Sequence, residues 1–83
     1  MAFNTFTKAF LFELLEHEEI SADDFQIAVQ SLVDLGVTED EFYDGVGITQ
    51  TTLIRWYNGE SAPVPMARHA VVRQMLKLLQ NQT

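Results

Sequence analysis

The chain predicts an all-α fold, a compact bundle of about five helices forming a single helical domain over residues 1–83. Three observations predict it. Apolar residues recur at three- and four-residue steps along most of the chain, with no strand-like alternation. Ser21 and Thr38 each precede an acidic residue by three positions, the pattern of a helix start. Gly36, Gly47 and Gly59 fall where the resulting helices would stop.

Taken in order, the first helix is expected over residues 4–19. Phe6, Phe10 and Leu14 recur at every fourth position, and Phe3, Leu11 and Leu15 widen the stripe. Its last turn, Glu16-His17-Glu18-Glu19, places negative charge where the helix dipole disfavours it. Ser21-Ala-Asp-Asp24 then opens a second helix, whose core face is Phe25, Ala28, Val29, Leu32, Val33 and Leu35. Thr38-Glu-Asp-Glu41 is a capping box for a short third helix carrying Phe42 and Val46. Thr49 caps a fourth helix, expected from Gln50 to about Asn58. The loop at 60–65 holds both prolines, and Pro65 is suited to the first position of a fifth helix running to about Gln80. Met66, Ala70, Val72, Met75, Leu76 and Leu79 are assigned to its apolar face, with Arg68, Arg73 and Lys77 pointing elsewhere. There is no internal repeat or low-complexity tract.

A chain of 83 residues, 47% hydrophobic, holds one modest core. With no cysteine, neither a disulfide framework nor a thiolate zinc site holds it together, so packing must do so. No apolar run approaches the length of a membrane span, and the start, MAFNTFTKAF, lacks the basic-then-apolar order of a signal peptide. The expected location is cytoplasmic, with no membrane association.

Charge is divided unevenly. Residues 1–46 hold eleven carboxylates and one lysine, whereas residues 47–83 hold one carboxylate and four basic residues, for −7 in all. The total opposes non-specific attraction to nucleic acid, while the second half is locally positive.

The segment 47–65, GITQTTLIRWYNGESAPVP, concentrates the candidate chemistry. Gly47-Ile48-Thr49 is a connection of the length that sets two helices at a steep angle, with Ile48 plugging the crook. On the helix that follows, Leu53, Trp56 and Tyr57 share one face, and Thr51, Ile54, Arg55 and Asn58 share another, joined by Gln50. The first set reads as core. The second offers amides, a hydroxyl, a guanidinium and a methyl-rich side chain, which are the groups that read base edges in a major groove.

Residues 39–65 resemble the helix-turn-helix of the phage repressor and Cro-like family. The matching positions are Phe42, Val46, Gly47, Ile48 and Thr49, then Thr52, Leu53, Arg55-Trp56 and Asn58-Gly59, with Ser61-Ala-Pro63 as the usual exit. Two positions depart from that pattern. Tyr43 stands where a small residue is usual, which implies more widely splayed helices, and Glu39 stands where a neutral polar residue is usual, which implies altered phosphate anchoring.

The resemblance, with the motif at about 39–59, implies a sequence-specific transcription regulator of prokaryotic or phage type, bound to double-stranded DNA as a homodimer. Thr49, Gln50, Thr51, Ile54, Arg55 and Asn58 would reach bases or phosphates, with Arg68 and Arg73 anchoring the flanks. His69, beside Arg68, reads as a surface residue in preference to a backbone-phosphate contact. Phe3 or Phe12 is available to a dimer partner. The alternative is an acidic interaction module or phage-type inhibitor, in which the negative half occupies a basic or DNA-binding surface of another protein. No enzyme is expected, since no catalytic grouping is evident. Neither a cofactor nor a metal is expected, because His17 has no second histidine three or four positions away.

Overall fold

The computed structural model describes residues 2–81, with side chains from residue 5 onward. Five helices follow one another: α1 (Ala2–Glu16), α2 (Ala22–Asp34), α3 (Glu39–Val46), α4 (Gln50–Asn58) and α5 (Pro65–Gln80). The described residues contain no strand. The fold is all-α, as the periodicity implies.

Helices begin where a side-chain oxygen is ready to accept an amide left without an intrahelical partner. The Ser21 hydroxyl accepts from the Asp24 amide at 3.0 Å. At Thr38 both halves of the capping box form: the hydroxyl accepts from the Glu41 amide at 3.2 Å, and the Glu41 carboxylate accepts from the Thr38 amide at 3.0 Å. At the start of α5 no side chain caps, and Pro65 instead occupies the first turn, where it has no N–H to leave unsatisfied.

The core is wholly apolar: no polar or charged side chain among the described residues is buried. Leu11 and Leu14 of α1, Phe25, Ala28, Val29 and Leu32 of α2, Phe42 of α3, Leu53 and Trp56 of α4, and Val72, Met75, Leu76 and Leu79 of α5 meet there. α5 packs against α1, α2 and α3, whereas α4 lies against α2 and α3, its backbone away from that of α5. α3 comes so close to α5 that a β-carbon at Gly45 would lie 2.4 Å from a methyl of Leu78. One face of α4 is left to solvent by this arrangement.

Three sequence expectations are corrected. Phe6 is 72% exposed rather than core. A four-residue step advances about 400° around a helix, so the Phe6-Phe10-Leu14 stripe drifts by about 40° per step and leaves Phe6 on the flank when Leu11 and Leu14 face inward. Met66 is 94% exposed and Ala70 is also exposed. One turn before Val72 the inward positions belong to Arg68 and His69, and Met66 lies about 120° away from Val72 around the axis. α1 ends at Glu16, three residues early. Residues 17–19 bend away, so that Ile20 reaches the core with 2% exposure.

The bend is held from α5. Arg68 donates from Nε to the Pro63 carbonyl and from an Nη to the Ile20 carbonyl, both at 2.9 Å. His69 Nε2 lies 2.7 Å from the His17 carbonyl. The His17 and Ile20 carbonyls, in the connection after α1, find their partners in these two side chains. Arg68, expected to face a phosphate, is thus a half-buried tie between the α1–α2 connection and α5. Arg68→Ala should lower unfolding free energy by about 1–3 kcal/mol in urea denaturation, the cost of two charge-assisted hydrogen bonds to carbonyls left without donors.

Candidate nucleic-acid interface

α3 stops because Gly47 takes the left-handed conformation, φ 82°, which lets its amide bond back to the Phe42 and Tyr43 carbonyls at 3.1 and 3.0 Å. Ile48 is half-buried against the core. Thr49 is extended, and its hydroxyl accepts from the Thr52 amide at 3.5 Å to start α4. Three residues therefore separate the two helices, as the spacing implies. Tyr43 is 62% exposed, so most of its ring lies in solvent and not between α3 and α4.

The inner face of α4 is locked. Leu53 and Trp56 are buried at 6% and 8% exposure, and the Trp56 ring meets Phe25 edge-on, with centroids 5.0 Å apart and planes at 83°. Trp56 is core, in keeping with its helical step from Leu53. The far end of the helix is fastened by polar contacts: Gln26 and Gln30 of α2 both donate to the Tyr57 carbonyl, at 3.1 and 2.9 Å. Gly59, at φ 76°, closes the helix beside them, and a β-carbon there would lie 2.8 Å from the Gln26 amide. Any side chain at 59 would both strain the backbone and displace Gln26.

With that face fixed, Thr49, Gln50, Thr51, Ile54, Arg55 and Asn58 are all exposed. No side-chain hydrogen bond or ion pair with another described residue engages Arg55. Carboxylates hold two of the others. Gln50 Nε2 donates to Glu39 at 2.9 Å, and Asn58 Nδ2 donates to Glu60 at a long 3.5 Å. Gln50 keeps its carbonyl and its second N–H for an outside partner. Glu39 thus orients a candidate reading residue while placing a negative charge beside it.

Of the eight residues expected at an interface, six share this surface. Arg73 is exposed on α5, whose backbone does not run beside α4, and Arg68 is committed to the Pro63 and Ile20 carbonyls. The glutamine pair that anchors the end of α4 went unseen in the sequence, since nothing local ties Gln26 and Gln30 to a carbonyl some thirty positions on. Among the described residues no helix is long and apolar enough to cross a membrane. The chain has no match among protein-family models, curated proteins or solved structures, so a functional reading rests on the residues and on this geometry.

Proposed function

We propose that the protein is a sequence-specific DNA-binding regulator of the small prokaryotic or phage repressor-like kind, and that α4 enters the major groove. The observation that carries the reading is a division of α4: Leu53 and Trp56 anchor it in the core, and Gln50, Thr51, Ile54, Arg55 and Asn58 form one continuous exposed surface after a three-residue turn. Such a surface has the donors, acceptors and methyl groups that distinguish base pairs. Thr49 and the first turn of α4 lie beside it, where a phosphate would meet the positive end of the helix dipole. A helix of nine residues reads few base pairs, so two copies on half-sites about one helical turn apart supply the specificity.

Electrostatics set how such a complex behaves. Only Arg55 brings positive charge to the surface, and Glu39 and Glu60 border it. Contacts to bases and the fit of the helix must then carry more of the affinity than phosphate attraction does.

The deciding experiment is selection of bound sequences from a random duplex pool with the purified protein at low salt. A palindromic winner is expected; failure to retain or enrich any duplex overturns the proposal. On the selected site, Arg55→Ala should weaken binding by about 1–3 kcal/mol and relax preference at a single position if Arg55 pairs with a guanine, measured by titration against single-base variants of the site. Glu39→Gln should tighten binding by roughly twofold to fivefold at low salt, because one exposed like charge is removed while a hydrogen-bonding partner for Gln50 remains. For the two-copy arrangement, Phe12, which is 48% exposed, is the residue of α1 to change. Sedimentation of Phe12→Asp should show a shift toward monomer, whereas the side chain of Phe3 lies outside the described residues.

A further inference from the structure

A cleft of about 550 Å³ opens beside α4, where the end of α2 and the first turn of α3 meet it. Its floor is apolar: Val37 and Leu53 are nearly buried, Val33 is half-buried, and Ile54, 48% exposed, forms one wall with Tyr57. Its α3 edge is acidic. Glu39 and Asp40 line it there, and Asp34, which does not itself line the cleft, accepts from the Tyr57 hydroxyl at 3.4 Å. No lysine, arginine or histidine lines the cleft.

We infer that this cleft docks a cationic amphipathic helix of a partner protein. Charge complementarity selects the occupant. The carboxylates of the α3 edge repel phosphate and acidic peptides, while an apolar floor of this size holds side chains presented at successive helical turns, with lysines or arginines on the flank that meets α3. A second copy of the chain is a poor occupant. The outward basic face of α5 carries Arg73 and Lys77 but only one large apolar residue, Met66, on its first turn. α1, which exposes Phe6 and Phe12, carries Glu13 and Glu16 against a single lysine, so neither helix matches an apolar floor with an acidic edge.

Ile54 and Asn58 belong both to the cleft lining and to the exposed surface of α4, so a docked helix covers part of that surface. The docking is independent of whether α4 reads DNA, and its test contains no duplex.

The test is a titration of the nitrogen-15-labelled full chain with a synthetic peptide of leucine and lysine at helical spacing, about 18 residues long so that it can form several turns. A peptide with every lysine replaced by glutamate is run in parallel. Amide shifts are expected at Val33, residues 37–40 and residues 53–58, and none with the glutamate peptide. Ile54→Gln, and separately Glu39→Gln combined with Asp40→Asn, should each weaken binding by about tenfold, while Glu18→Gln combined with Glu19→Gln changes it by less than about twofold. Shifts spread over residues 16–19, or equal weakening by the two acidic double variants, would mean that charge alone attracts the peptide and would overturn the inference. So would saturation of the same amides by spermine, which marks a small-cation site, or their concentration-dependent shift without peptide and its loss in Lys77→Glu, which marks a second copy.

Discussion

The placement of α4 depends on how α2 holds it. An edge-on contact between Phe25 and Trp56 fixes the middle of the helix, and two glutamine amides converge on the Tyr57 carbonyl to fix its end. The aromatic contact resists rotation about the helix axis. The amides supply hydrogen bonds to a carbonyl that the end of a helix leaves open. Together with the short turn from α3, these contacts give the exposed set from Gln50 to Asn58 its direction.

Charge then differentiates the surfaces that this scaffold presents. The acids of the first half do not form one undivided field. Those at 39–41 crowd the N-terminus of α3, where they stabilise the helix dipole and, through Glu39, orient Gln50. Those at 16–19 gather at a bend whose carbonyls are tied down by Arg68 and His69. Carboxylates near α4 therefore serve in capping and orientation, and the side chain of Arg55 is left as the cation of the exposed face.

Much of this was legible in the sequence because helix ends are written in short-range chemistry. Ser21, Thr38 and Thr49 accept amides three residues on, and Gly47 and Gly59 adopt positive φ, so the bounds of α3 and α4 follow from residues in the immediate neighbourhood. Division of α4 into a core face and an exposed face was legible for the same reason. What failed was inference over longer distances. A repeat of four looks like a stripe for Phe6 and Met66, but the direction of the core is set by neighbouring helices, and it turned both residues outward. Arg68 looked like a surface cation because its carbonyl partner at Ile20 lies 48 positions away. The cleft beside Ile54 is built from three elements and has no local signature at all.

The tie from Arg68 to Ile20 has a consequence for the way the molecule is made. The connection after α1 exposes carbonyls whose partners belong to the last of the five helices, and α1 itself rests on that same helix. During synthesis the earlier helices leave the ribosome without the piece that completes them. The ties from Arg68 and His69, and the seat of α1 on α5, can form only once α5 has been made, and sequence separations of 48 and 52 make them costly loops to close.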